Sequence, residues 1–159
     1  MVKNNIKRIL DHPDFPEGEC WEHQVFCANE TIIQQGELSR WLYVIEFGAV
    51  RVIGNVSLDE QQQVKPGMSD LFEEQIFGEL VLFDREPRSA SVKAIQDCQL
   101  IAINGDKLLV FLKANPDIGF AFLMALMSIE VQRLRKSNQK VCSLFAWGLK
   151  AHKIDEYLD

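Results

Sequence analysis

Residues 77–94 read Phe-Gly-Glu-Leu-Val-Leu-Phe-Asp-Arg-Glu-Pro-Arg-Ser-Ala-Ser-Val-Lys-Ala, and no other stretch of the chain is as informative. Gly78 lets the backbone come close to a ligand, and a short helix predicted to begin near Leu80 would present unpaired amides to an anion. Arg88 carries a planar fork of donors that matches two phosphate oxygens. Glu79 would repel a phosphate, so we expect it to accept hydrogen bonds from sugar hydroxyls. The stretch therefore predicts a site for a small molecule that carries both a sugar and a phosphate.

A simpler alternative is that Glu79 and Arg88 pair with each other on a surface loop. Surface ion pairs are common and contribute only about 0–1 kcal/mol each. Ser89 adds a hydroxyl and an amide next to Arg88, but serines are frequent in loops. The residue types alone leave both interpretations open.

Composition restricts the class of protein. The chain has 159 residues, an apolar fraction of 47% and a net charge of −6, which predicts one globular domain and disfavours a general nucleic-acid-binding role. No apolar run approaches the roughly 20 residues that span a bilayer. The N-terminal residues also lack the apolar block that a secretory signal peptide requires. We expect a cytoplasmic protein with its four cysteines reduced. The three histidines have no evident catalytic partner, so we do not expect an enzyme.

The pattern along the chain predicts a mainly β protein with flanking helices. Residues 1–19 form an N-terminal helical segment with a short helix over Ile6–Leu10. Residues 20–116 contain short apolar runs about ten residues apart, separated by turn residues, as in an antiparallel sandwich or barrel. The clearest predicted strands are Trp21–Phe26, Thr31–Gln34, Trp41–Phe47, Ala49–Ile53, Ser91–Ile95 and Gln99–Ile103, with a loop or hairpin tip over Ser57–Lys65.

Two helices are predicted to follow the strands. The first spans Lys107–Lys113, and the second is a long helix over residues 117–146 with Asp117 as its N-cap. The tail 147–159 ends in acidic residues. A seam with alternating steps of about 3 and 4 residues, the period of a coiled coil, runs along the long helix: Phe120, Met124, Met127, Val131, Leu134, Asn138, Val141 and Phe145. We expect this seam to form a homodimer; the alternative is a helix folded back on its own sheet.

Asn138 interrupts the apolar seam, and Ser137 stands beside it. An asparagine at a core position of a coiled coil specifies register and dimer state. The same amide, with the neighbouring hydroxyl, could instead hydrogen-bond a ligand beside the helix. The pattern does not decide between the structural and the ligand-binding role.

The segment Phe77-Gly78-Glu79-Leu80, followed by Pro87-Arg88-Ser89-Ala90-Ser91-Val92, resembles the phosphate-binding cassette of cyclic nucleotide-binding domains, the type found in catabolite activator proteins and protein kinase A regulatory subunits. More loosely, the resemblance extends over residues 20–140. It implies an eight-stranded jelly-roll β-barrel followed by a long dimerisation helix.

The resemblance also implies roles for individual residues. Glu79 would accept from the ribose 2′-hydroxyl, and Arg88 would pair with the cyclic phosphate. Ser89 leans toward cAMP rather than cGMP as the ligand, and no metal is expected. The residues implied in ligand binding are Phe77, Gly78, Glu79, Leu80, Arg88, Ser89 and Ala90, with Ser137 and Asn138 reaching the base.

The chain departs from the family pattern in two places. Residues 71–76 lack the Gly-Asp turn usual upstream of Phe-Gly-Glu, which leaves the preceding strand pairing uncertain. Only residues 147–159 follow the long helix, too few for a helix-turn-helix, so we expect no direct DNA binding. The sequence thus predicts a stand-alone cyclic nucleotide sensor that signals through its C-terminal helix to an unknown partner protein.

Two alternatives to the sensor remain. The domain could be a dimeric scaffold whose pocket is vestigial or holds another ligand. It could also be a metal or redox sensor of the same fold, since Cys20, His23 and Cys27 lie close together in sequence. That spacing equally suits a strand whose side chains alternate between the core and the surface.

Overall fold

The computed structural model describes residues 2–54, 56–57, 63–64 and 67–151. Its strands are β1 Trp21–Phe26, β2 Thr31–Ile33, β3 Trp41–Phe47, β4 Ala49–Ile53, β5 Val56–Ser57, β6 Gln63–Val64, β7 Gly67–Phe72, β8 Ile76–Phe77, β9 Ser91–Ala94 and β10 Cys98–Asn104. Its α-helices are α1 Val2–Leu10, α2 Gly105–Ala114 and α3 Pro116–Ala151, and a 3₁₀ helix spans Glu79–Leu82.

Eight of these strands form two four-stranded antiparallel sheets. The first sheet has the order β1-β10-β3-β8 and the second the order β2-β9-β4-β7, while β5 and β6 pair separately as a hairpin. Strands that follow each other in the chain, such as β1 and β2 or β3 and β4, therefore lie in different sheets. This is the arrangement of a double-sheet jelly roll, and it confirms the predicted fold class.

Strand β3, in the interior of the first sheet, is a nearly continuous apolar run. Successive side chains of a strand point to opposite faces of the sheet. Tyr43 and Ile45 pack between the two sheets, whereas Leu42 and Val44 pack on the other face against the helices. Because both faces are covered, the strand has no polar alternation in its centre.

The helices cover the outer face of the first sheet. Phe122 and Leu126 of α3 are fully buried in the same cluster as Ile6 and Ile9 of α1. The amide of Asn5 donates to the Ala121 carbonyl at 3.1 Å and so fixes α1 on α3. Among the described helices, none combines the length and the apolar content that crossing a membrane requires.

The predicted strands agree with the observed ones to within about one residue at each end, but β7 and β8 were not predicted. The turn between them has no glycine: Glu74 adopts a left-handed conformation with φ of 68°, and the Gln75 side chain accepts from the Phe72 amide at 2.8 Å. This turn lies at the position where the family usually has a Gly-Asp turn. Strand β7 pairs with β4 from Ala49↔Phe72 onward.

Helix α3 is longer than predicted. It begins at Pro116 and continues to Ala151, past the predicted end at Ala146, so the first part of the expected tail is helical. The rest of the tail, residues 152–159, lies outside the described residues. Of the predicted Ser57–Lys65 loop, the described part forms the β5–β6 hairpin.

The coiled-coil seam of α3 does not pack on the sheets of its own chain. The helix contacts the core through Phe122, Ala125 and Leu126, which lie on the opposite face from the seam. The apolar seam residues are all exposed: Phe120, Met124, Met127, Val131, Leu134, Val141 and Phe145. The alternative in which this helix buries its seam on its own sheet is therefore wrong.

Gly48 lies at the corner where the chain passes from the first sheet to the second. Its substitution tests how much the close packing of this corner contributes to stability. Its φ is 97°, and an added Cβ would lie 2.6 Å from the Asp97 carbonyl oxygen and 2.7 Å from the Cys98 Cβ. We expect Gly48→Ala to lower the free energy of unfolding by about 2–6 kcal/mol, because backbone strain and overpacking add. Urea unfolding measures this loss.

Gly18→Ala is the matched control. Gly18 has a similar φ of 80°, but an added Cβ there would lie in open space. Its free energy of unfolding should fall only by the contribution of backbone strain, about 1–3 kcal/mol. Equal losses in the two variants would show that the close approach at Gly48 is unimportant.

Candidate functional site

The site begins where β8 ends, at Gly78. This residue has φ of 72°, and an added Cβ would lie 3.0 Å from Nη1 of Arg88 and 3.2 Å from Cδ1 of Ile33. Both the backbone conformation and the lack of space therefore require glycine. The 3₁₀ helix Glu79–Leu82 follows directly, so Gly78 turns the chain over the Arg88 side chain.

Arg88 lies beneath this turn and is only 8% exposed. Its Nη1 donates to the Gly78 carbonyl at 3.0 Å, and its Nη2 donates to Ser39 Oγ at 3.0 Å and to the Trp41 carbonyl. Burial lowers the pKa of the guanidinium, but arginine remains protonated under all ordinary conditions. The charged group is thus held by acceptors from two separate parts of the chain.

The backbone of Arg88 is fixed as well. The Gly36 amide donates to the Arg88 carbonyl at 2.9 Å, and the Arg88 amide donates to the Glu37 carbonyl at 2.9 Å. The turn between β2 and β3 therefore pairs with the segment before β9. In the same turn the backbone amide of Gln35 donates to Ser91 Oγ at 2.9 Å.

Glu79 is the other charged residue of the site, and it is 5% exposed. Its Oε1 accepts from Nη1 of Arg133 at 3.0 Å. Arg133 comes from α3, and its Nη2 donates to the Ile76 carbonyl of β8. A residue of the long helix therefore forms an ion pair with the carboxylate of the cassette.

The ion-pair alternative of the sequence analysis is wrong. Glu79 and Arg88 are both buried, and each has other partners, Arg133 for the carboxylate and backbone or hydroxyl oxygens for the guanidinium. The two charges are close enough to interact electrostatically. They remain separate groups with different hydrogen-bond partners.

Three buried side-chain atoms lack a hydrogen-bond partner in the part of the chain that the structure describes: Glu79 Oε2, Arg88 Nε and Gln35 Oε1. Buried polar groups are nearly always paired, so each exception needs an explanation. All three belong to the cassette or to the turn that pairs with it. One donor and two acceptors are thus left open at a single place in the fold.

Helix α3 passes over this place. Arg133, Ser137 and Lys140 lie on one face of the helix, because residues four and seven apart are neighbours on its surface. Arg133 contacts β8, and Nζ of Lys140 donates to the Met68 carbonyl of β7 at 2.5 Å. Ser137 is exposed on this face between the two contacts. Asn138 is also exposed but lies on the seam.

The remaining predicted site residues serve different purposes. Phe77 is buried and stacks on Tyr43 with ring centroids 5.2 Å apart, so it supports the cassette from the core. Leu80 and Ser89 are exposed, and Ala90 is half-buried.

Sequence reasoning missed Arg133, Ser39 and Trp41. A signal for Arg133 was available, because it lies one helical turn before Ser137 and shares its face. Trp41 contributes a backbone carbonyl, which no side-chain pattern could have revealed.

The cysteine and histidine residues near β1 lie in different surroundings. Cys20 is buried in the core, and burial raises the pKa of its thiol, whereas Cys27 is exposed. His23 Nδ1 lies 2.7 Å from Glu46 Oε2. No group of three potential metal ligands occurs among the described residues, so the metal alternative has no support there.

Comparison with known proteins agrees with this geometry. Residues 23–115 match the family described as cyclic nucleotide-binding domain. The cAMP-activated global transcriptional regulator CRP of Salmonella typhimurium is 32% identical over 126 residues, which are 79% of this chain and 56% of that protein. This chain thus spans about half the length of the curated relatives it matches.

Solved structures agree as well. The catabolite activator protein of Thermus thermophilus superposes with a TM-score of 0.61 at 27% identity, over 78% of this chain and 55% of that one. A cyclic nucleotide-binding domain from Methylobacillus flagellatus has the same fold, with a TM-score of 0.70 at 21% identity over 89% and 80% of the two chains. The chain belongs to the cyclic nucleotide-binding domain family.

Proposed function

We propose that the chain is a regulatory, non-catalytic sensor that binds a cyclic nucleotide, with cAMP favoured over cGMP. The observation that carries this proposal is the group of unpaired buried atoms, Glu79 Oε2 and Arg88 Nε above all. A buried polar group without a partner costs about 1–3 kcal/mol, more when it is charged. A ligand with a hydroxyl and an anionic oxygen at the right separation removes both costs.

In the proposed complex the two charged residues divide the ligand between them. The ribose 2′-hydroxyl donates to Oε2 of Glu79, while Oε1 stays bound to Arg133. Nε of Arg88 donates to the cyclic phosphate, while its two terminal nitrogens keep holding the Gly78 turn, Ser39 and Trp41. The amides around Gly78, Leu80 and Ser89 complete the phosphate contacts. Both side chains are thus already held in place by the protein, which limits the cost of ordering them on binding.

The base of the nucleotide is assigned to Ser137 and Asn138. Ser137 lies on the face of α3 that carries Arg133 and so can reach a ligand held by its own chain. Asn138 lies on the seam, and we assign it to the pocket of a second copy packed along that seam. Ser89 adds a hydroxyl beside the phosphate and favours cAMP over cGMP as the ligand.

A homodimer through α3 is part of the proposal. The seam exposes large apolar side chains over most of the helix, and contiguous exposed apolar surface of this kind marks interaction sites. The period of the seam suits a coiled coil. Pairing along it buries the face that this chain leaves uncovered.

The signal is proposed to leave through α3 to a partner protein. A ligand shifts a conformational equilibrium only if it binds one state more tightly than the other. Arg133 is the proposed route of the signal, because it joins α3 to the carboxylate that receives the ribose. The matched relatives in Salmonella typhimurium and elsewhere are named as cAMP-activated transcriptional regulators, which supports regulation by cAMP.

Glu79→Gln tests the hydroxyl acceptor. Isothermal titration calorimetry of the unaltered protein should show saturable binding of cAMP, with weaker binding of cGMP. We expect Glu79→Gln to lose about 1.5–3 kcal/mol of binding free energy, the scale of a hydrogen bond to a charged group. If neither nucleotide binds below about millimolar concentration, the scaffold with a vestigial pocket replaces the sensor.

Arg88→Ala tests the phosphate contact and should cost about 2–5 kcal/mol of binding free energy, as for loss of one member of a buried charged pair. Arg85→Ala is the matched control, because Arg85 is an exposed arginine of the same segment. The far-ultraviolet circular dichroism of each variant checks folding. Equal affinities in the two variants would mean that Arg88 does not contact the ligand.

Leu134→Lys tests the dimer. Leu134 is a seam residue, and its side chain is 62% exposed in the single chain, so the substitution should leave the fold intact and separate the two copies. Sedimentation equilibrium should give the dimer mass for the unaltered protein and a monomer for the variant. Gln132→Lys, exposed but off the seam, should remain dimeric. A monomeric unaltered protein refutes the coiled-coil pairing.

A further inference from the structure

A second carboxylate lies next to the proposed ribose contact. Glu130 of α3 accepts from Nη1 of Arg133 at 2.8 Å through its Oε1, and the same nitrogen donates to Glu79 Oε1 at 3.0 Å. Nη2 of Arg133 is engaged by the Ile76 carbonyl. Arg133 is therefore held between two carboxylates, and its orientation depends on both.

One guanidinium cannot neutralise two carboxylates. Burial and then the charge of Glu79 raise the pKa of Glu130, while Arg133 acts in the opposite direction. Within the described residues these are the charged groups that act on Glu130, Glu79 from the 3₁₀ helix and Arg133 from its own helix. Two carboxylates in one site tend to share a proton.

We propose that Glu130 is a positioning residue that couples ligand binding to the uptake of one proton. This inference rests on the proposed function, because it needs Glu79 as the acceptor of a ligand hydroxyl. Glu130 and Glu79 share Nη1 of Arg133 through their Oε1 atoms, while Oε2 of Glu79 has no hydrogen-bond partner among the described residues. Once protonated, Glu130 no longer competes with Glu79 for the positive charge.

The direction of the coupling follows from the charge of the ligand. A cyclic nucleotide brings an anionic phosphate into the pocket and excludes water from it. Both changes disfavour the ionised form of Glu130, so its pKa is higher in the complex than in the free protein. The stabilisation of the complex is complete below the free-protein pKa and is lost as the pH rises through the pKa of the complex. Affinity therefore increases as the pH falls, by at most about tenfold per pH unit for one proton.

The test is calorimetric titration with cAMP between about pH 5 and pH 8, repeated at each pH in two buffers with different ionisation enthalpies. The difference in heat between the buffers reports protons taken up on binding. We expect the unaltered protein to take up a proton and to bind more tightly at the acidic end. Glu130→Gln, which keeps an oxygen for Arg133 but cannot titrate, should bind without proton uptake and with an affinity that changes little over this range.

Glu73→Gln is the control, since it removes an exposed carboxylate of the β7–β8 turn; it should keep the profile of the unaltered protein. Proton-free binding by the unaltered protein, or an unchanged profile in Glu130→Gln, overturns the role of Glu130 and leaves the proposed function standing. Absence of binding by both cAMP and cGMP at every pH refutes the proposed function and this inference with it.

The ligand-free protein offers an independent measurement. A carboxyl whose pKa is raised by folding contributes stability below its unfolded pKa, and that stability is lost as the pH rises through its folded pKa. The unaltered protein should therefore gain stability relative to Glu130→Gln as the pH falls from neutral. A difference that does not change with pH would contradict the raised pKa of Glu130, whatever the ligand does.

Discussion

The guanidinium of Arg88 connects the parts of the chain that build the pocket. It is buried, and a buried charge must find acceptors, which it takes from the Gly78 carbonyl, Ser39 Oγ and the Trp41 carbonyl. These oxygens belong to the turn after β8, the approach to β3 and β3 itself. The requirement to satisfy one charge therefore fixes the cassette on the first sheet. It also explains Gly78, because a side chain there would meet the guanidinium.

Helix α3 depends on this arrangement and completes it. Its first turns are anchored in the core by Phe122 and Leu126, and its middle is joined to the cassette by Arg133. In the proposed mechanism a change at Glu79 is transmitted to the exposed seam, because a helix is nearly rigid along its axis. The seam and the pocket contact lie on different faces of the same turns. The proposed sensor would therefore respond to a ligand on one face of the helix and present the seam to a partner on the other.

Much of the fold could be predicted from local pattern. Runs such as Trp41–Phe47 and turn residues such as Gly48 mark strands and their ends through side-chain period and backbone conformation. Strand β7 escaped prediction because its side chains are mostly exposed, so it lacks an apolar period. The turn after it uses Glu74 in a left-handed conformation, which residue type alone does not reveal. The length of α3 was underestimated, because the helix continues through Gly148 to Ala151 although glycine commonly ends helices.

The sequence by itself determined the kind of fold, the cassette and its two charged residues, because these depend on residue type and spacing within one segment. Only the tertiary structure decided which groups those charges meet. Glu79 and Arg88 are near each other in sequence and could have formed an ion pair, but burial gives each a separate set of partners. Arg133 and Glu130 reach Glu79 from a distant helix. Such contacts arise from how the helix crosses the sheet, and no local pattern encodes the crossing.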